Sequence, residues 1–190
     1  PVFNQCAAEV CEGQQWDMEF ETKAKVTEAQ YIQMIKLKTA VLLGFSLELG
    51  ALLANADLRE RKALKEFGIN IGIGFQLKDD LLDVYGDQSK FGKQVGGDIL
   101  ANKKTYLLIK AKEKAKGRDK QELEHWITVR KFNKSQKIKA VTALYDRLAI
   151  AQLTEIKIAE YFKHGFKNLE QVTASPQKEL LIQFTQNLIS

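Results

Sequence analysis

The chain has 190 residues, of which 45% are hydrophobic and 28% charged, and 29 Lys and Arg against 24 Asp and Glu leave a formal charge of +5. That is enough apolar material for one substantial core and too much for a disordered chain. With 12 Gly and only 2 Pro, collagen-like and linker architectures are excluded as well.

The prolines stand at positions 1 and 176, so the long stretch between them lacks the one residue that a helix interior cannot accept. A mainly helical protein is expected. No segment reaches the roughly 18 to 20 apolar residues that a membrane span requires, because the best one, Ala40 to Leu47, stops at Glu48. A soluble protein with no membrane span follows. Pro1 is preceded by no Met and followed by no basic and apolar leader, so no secretion signal is expected and the native start is expected upstream. Cys6 and Cys11 have neither C-x-x-C nor metal-site spacing and read as reduced thiols in a reducing cytoplasm. The longest basic stretch, Lys110 to Lys120, is broken by Glu113 and Asp119 and carries no aromatic residue, so no nucleic-acid partner is expected.

No repeat, low-complexity tract or linker divides the chain, and residues 1–190 read as a single domain. Near the start, Gln14, Asp17 and Glu21 share one face of an amphipathic helix. Thr27 with Gln30 three residues on is a capping box, and Ile32, Ile35, Ala40, Leu43 and Leu47 then place a helix from about Glu28 to Ala54. Asn55-Ala56-Asp57 ends it. A second helix, from Leu58 or Arg59 to Val84, is apolar nearly all round through Ile69, Ile71, Ile73, Phe75 and Leu77, which predicts a central, buried position. Glycines 68, 72 and 74 predict close approach of its neighbours. Tyr85 to Asn102, with four glycines among charged residues, reads as a long loop, which its length makes either functional or disordered. Further helices are expected at Lys104 to Lys116, Asp119 to Thr128, Ser135 to Ala149, Ala151 to Phe166 and Pro176 to Ile189, the last capped by Ser175.

Chemistry concentrates in Phe75-Gln76-Leu77-Lys78-Asp79-Asp80-Leu81-Leu82-Asp83. At about 100° per residue, Gln76, Asp79, Asp80 and Asp83 fall within an arc of roughly 100°, and Leu81, Leu82 and Lys78 point elsewhere. Carboxylates crowded on an otherwise apolar helix need protonation or bound cations to relieve their repulsion, and oxygen-only ligands of this kind suit Mg²⁺ completed by substrate phosphates. A solvent-facing or salt-bridged acidic patch is the plainer alternative. Lys38-Thr39 interrupts the apolar face of the preceding helix, and Lys93 and Lys103 add positive charge after the acidic helix. Each lysine alone is an ordinary surface charge; together, around three carboxylates, they fit a phosphate-bearing ligand.

The set Glu12-Gly13-Gln14-Gln15-Trp16-Asp17, Lys38-Thr39, Phe75 to Asp83, and Gly92-Lys93 through Gly97-Asp98 to Asn102-Lys103-Lys104-Thr105 resembles the trans-isoprenyl diphosphate synthases, the polyprenyl synthetases that make geranylgeranyl or farnesyl diphosphate. The FQxxDDxxD string is similar to the second aspartate-rich motif of that family. The resemblance implies an all-α bundle of antiparallel helices around a cavity, a homodimer, and condensation of isopentenyl diphosphate with an allylic diphosphate. It further implies Asp79 as principal Mg²⁺ ligand with Asp80 and Asp83 in support, Gln14 and Asp17 near the reacting chain, and Lys38, Lys93 and Lys103 on the allylic diphosphate. Thr39 and Gln76 are implied as neutral acceptors beside the allylic cation. Asp79-Asp80 is the sole Asp-Asp pair, so the first aspartate-rich motif is missing. The chain is therefore expected to be the C-terminal part of such an enzyme, inactive alone, with the apolar face from Ile69 to Leu77 uncovered. A terpene cyclase and a non-catalytic subunit of the same fold are the competing readings.

Overall fold

Thr27 opens its helix as its spacing predicts: its hydroxyl accepts the Gln30 N–H at 3.2 Å, and the Gln30 side chain accepts the Thr27 N–H at 3.0 Å. The computed structural model describes residues 2–87 and 95–189, and every regular element among them is helical. In chain order these are α1 (Val2–Thr22), α2 (Glu28–Ile35), a π turn (Lys36–Ala40), α3 (Val41–Leu53), α4 (Leu58–Tyr85), α5 (Gly97–Ala101), α6 (Tyr106–Lys114), α7 (Gly117–Thr128), α8 (Lys134–Arg147), α9 (Ile150–Leu169) and α10 (Pro176–Ile189).

Two departures from the sequence reading lie at the site. The helix expected from Glu28 to Ala54 runs the whole way but widens at Lys36–Ala40, where the Val41 N–H reaches back to Lys36 O. Such a π turn shifts the register of every later side chain and puts Lys38 and Thr39 in it. The expected loop from Tyr85 to Asn102 contains a short helix, α5, entered through Gly96 at φ +88° and left through Asn102 at φ +51°.

The central position of α4 holds. It packs most extensively on α9 and α3, and Ile69, Ile71, Ile73 and Leu77 are all buried. This corrects most of the expectation of an uncovered face from Ile69 to Leu77: the chain itself covers these four side chains, and only Phe75 of the stretch's large apolar residues is exposed. The glycines on α4 do what their spacing predicts. A Cβ on Gly68 would stand 2.8 Å from Gly44 of α3, and one on Gly72 would stand 2.7 Å from Ala40. Gly74 lies against the ring of Phe162 on α9. Around α4 the core divides into a larger cluster with Tyr31, Phe67 and Phe162 and a second one with Leu107, Leu144 and Ile150 from the later helices. Leu81 packs against both, so the acidic end of α4 sits where they meet.

Lys78 is not idle. Its ammonium donates to the carbonyl of Ile189 at 2.6 Å, capping the last turn of α10, where positive charge is favoured. Lys78→Met is expected to cost about 1 kcal/mol, concentrated in α10. Amide exchange should accelerate in that helix and not in α4; uniform acceleration would show that the cap is not what Lys78 contributes.

Candidate active site

The carboxylates of the acidic face have different surroundings. Asp80 turns into the core and is 3% exposed. The buried Tyr31 hydroxyl donates a very short hydrogen bond to its Oδ2, and the Gln76 amide donates to its Oδ1 at 3.3 Å. Thr39 Oγ1 donates to Gln76 Oε1 at 3.1 Å. A continuous chain of donors thus runs from the π turn through α4, fixing which way the Gln76 amide faces. Burial pushes Asp80 up to about 7; the Asp98 charge adds to this, and the Tyr31 bond and the Lys103 charge oppose it. Burial and the neighbouring Asp80 drive the Tyr31 hydroxyl far above its ordinary range, so it stays a donor.

Asp79 is exposed beside it. Asp83, one turn further, is held by α5: its Oδ2 accepts the Asp98 N–H at 2.9 Å and its carbonyl accepts the Gly96 N–H at 2.6 Å. Asp98 brings a further carboxylate, raised by burial and by the Asp83 and Asp79 charges, and its Oδ1 lies 3.7 Å from Lys103 Nζ. For Lys103, burial works to lower its pKa, but Asp98, Asp80 and Asp17 together raise it, so it remains an ammonium facing acid on three sides.

Lys38 enters from the π turn and pairs with Asp17 of α1 at 2.5 Å. The contact depends on Gly13: a Cβ there would stand 2.7 Å from Leu37 C and overlap the Lys38 amide, so α1 can seat on the π turn only through a glycine. Gly13→Leu is expected to lift α1 away at a cost of about 1 to 3 kcal/mol or more, from overpacking. A urea melt should show that loss; an unchanged midpoint would contradict the close seating. Gln14 lies exposed on α1, one turn before Asp17.

The predicted residues Asp17, Lys38, Thr39, Gln76, Asp79, Asp80, Asp83 and Lys103 therefore line one region between α1, the π turn, α4 and α5. Lys93 lies outside the described residues. Tyr31, Asp98 and Gly13 have the contacts of functional positions without having been singled out. The only signal for Tyr31 is a hydroxyl on an apolar stripe, which must find a buried partner. Asp98 and Gly13 stand in the quoted motifs but had no geometry to mark them.

The donors fit a hard divalent cation in a particular way. All are oxygens, and burial, with neighbouring carboxylate charge added to it, raises Asp80 and Asp98 toward neutrality. Yet no group of three or more acidic, His or Cys side chains among the described residues could hold a metal by itself. The arrangement suits an ion bound through one or two carboxylates and completed by water and ligand phosphates, as Mg²⁺ prefers.

Residues 1–145 match the family model described as polyprenyl synthetase. The chain is 39% identical over 186 residues to a geranylgeranyl pyrophosphate synthase of Geoglobus acetivorans, which covers 95% of this chain and 54% of the relative. It is 34% identical over 197 aligned positions to a geranylgeranyl diphosphate synthase of Methanosarcina mazei, covering 100% of this chain and 56% of the relative. A crystal structure of a geranylgeranyl pyrophosphate synthase superposes with a TM-score of 0.91 at 40% identity, over 99% of this chain and 59% of that one. The chain thus spans about half the length of the curated relatives it matches. Among the described residues, no helix is long and apolar enough to cross a membrane.

Proposed function

The chain belongs to the polyprenyl synthetase family, and from that premise we propose that it forms one wall of a Mg²⁺-dependent trans-prenyltransferase. The reaction condenses isopentenyl diphosphate with an allylic diphosphate to give a longer polyprenyl diphosphate. The observation that carries this reading is the clustering of Asp79, Asp83 and Asp98 with Lys103, and of the Lys38–Asp17 pair beside them, in one region. Cations and carboxylates so arranged suit a metal-complexed diphosphate and little else.

In this reading Asp79 holds the metal, with Asp83 and Asp80 supporting it through water and hydrogen bonds. Bound there, Mg²⁺ supplies positive charge against the departing diphosphate. Lys38, Lys93 and Lys103 grip the allylic diphosphate. As its C–O bond breaks, the electron pair leaves with the diphosphate, and the lysines offset the charge that grows on it. The π bond of isopentenyl diphosphate then attacks the allylic carbon, and the diphosphate released removes the proton. Thr39 and Gln76 present neutral oxygens that stabilise the cation without capturing it, Gln76 being held in place by Thr39 and Asp80. Asp17 orients Lys38, and Gln14 stands beside the reacting chain.

The reading places the second wall, with the first aspartate-rich motif, outside these residues. It also includes a homodimer and a cytoplasmic location; large apolar side chains left exposed on α3, Leu42 and Leu53 among them, supply surface for a second copy or for further chain. The test is incorporation of labelled isopentenyl diphosphate by this chain alone and after fusion behind the N-terminal half of the Geoglobus acetivorans relative. No turnover alone and Mg²⁺-dependent turnover when joined is the expected pair of results. A folded fusion that binds neither diphosphate would overturn the assignment.

A further inference from the structure

Lys137 is in an unfavourable place for a lysine. It is 1% exposed, lies just inside the N-terminal end of α8, where the helix dipole disfavours positive charge, and its pKa is lowered by burial with no carboxylate to oppose this. Its ammonium is satisfied by neutral groups: Asn102 Oδ1 at 2.8 Å, Leu100 O at 3.4 Å and the ring of Phe132, whose centroid is 4.4 Å away.

Two of these partners, Leu100 and Asn102, form the exit of α5. Asn102 adopts the left-handed conformation that ends the helix, and Lys103 N–H returns to Asp98 O at 3.0 Å. Glycine is the usual residue at such a position, yet here the side chain is used on both sides. Oδ1 accepts from Lys137, and Nδ2 donates to Ile127 O at the end of α7 at 3.1 Å. The turn is thereby pinned from α8 and α7 immediately before Lys103 leaves it toward Asp98.

We infer that Lys137 is a positioning residue for the diphosphate site: acting through Asn102, it fixes the α5 exit so that Lys103 is delivered to the acidic cluster around Asp98. This rests on the proposed function only for the ligand that Lys103 meets. The fixing of the turn stands independently of it.

Lys137→Met keeps the apolar stem and removes the charge and donors; Asn102→Gly keeps the backbone conformation and removes the link. In this chain, amide exchange of Lys103 and Thr105 is expected to accelerate roughly tenfold in either variant and little further in the double variant, with the α4 amides unchanged. Inorganic diphosphate with Mg²⁺, titrated by calorimetry, should bind about tenfold more weakly to Lys137→Met, as to Lys103→Ala. Unchanged exchange at Lys103 and Thr105, or acceleration spread over α4 as well, overturns the inference. Local acceleration, together with a fusion to the N-terminal half of the relative that itself binds no diphosphate, upholds the positioning and overturns the proposed ligand. Should Lys137→Met not fold, Asn102→Gly alone decides: protected amides at Lys103 and Thr105 would refute the inference.

Discussion

Asp79→Asn, introduced into the fusion that carries both walls, is expected to lower turnover by about 10²- to 10³-fold and to raise the Mg²⁺ concentration needed for half-maximal rate. Asp80→Asn should cost much less at saturating Mg²⁺. The difference follows from burial. Asp79 is exposed beside Asp83 and Asp98, where an ion and its water can reach it, so its loss falls on the transition state. Asp80 is 3% exposed and committed to Tyr31 and Gln76. An asparagine oxygen can still accept the hydrogen bond from Tyr31, so that link survives the change, and only the weaker one from the Gln76 amide is lost. Steady-state rates over a Mg²⁺ series would separate the two variants; equal losses, with the same metal dependence, would mean that the acidic face acts as a unit and that the outward position of Asp79 has no special weight.

Much of this was legible before any coordinates. Caps at Thr27 and Ser175 could be read from single residues because a side-chain oxygen three residues before an orphan N–H is a local matter, and the hydrogen bonds to Gln30 and Lys178 are there; Asp57, read only as the end of the preceding helix, also caps the next one through Glu60 N–H. The acidic face of α4 was legible because helical period alone sets which residues share it. The π turn was not, since nothing in Lys36-Leu37-Lys38-Thr39-Ala40 marks a helix that will widen; what packs against it is Gly13 of another helix. Tyr31 meets its partner 49 residues away, and Lys137 meets Asn102 35 residues away. Periodicity assigns such residues to a face but not to a partner. The reading of Lys78 as pointing away from the site was correct as to side and incomplete as to role, for the same reason: Ile189 lies 111 residues further on.

The metal-free chain is expected to lose stability as pH rises from about 4 to 7, and Asp80 is the cause. Its carboxyl, near 3.8 when unfolded, is pushed up to about 7 by burial in the native state. Between those values the folded chain holds a proton that the unfolded chain has released, so stability falls with rising pH across that window and levels off above it. The limiting size is a few kcal/mol, from about 1.4 kcal/mol per pH unit. Asp80→Asn, which cannot ionise, should flatten the profile, with its largest advantage over the unmodified chain above pH 7. Tyr31→Phe should act in the opposite sense: the hydroxyl favours the carboxylate by donating to it, so without that donor Asp80 rises further and the loss extends to higher pH. Urea melts at pH 5, 6, 7 and 8 in chelator would measure all three. A stability that climbs toward pH 8 in the unmodified chain, or a slope unchanged in Asp80→Asn, would mean that the buried carboxyl is already ionised at low pH, with its charge stabilised by Tyr31, Gln76 and Lys103 more strongly than burial opposes it.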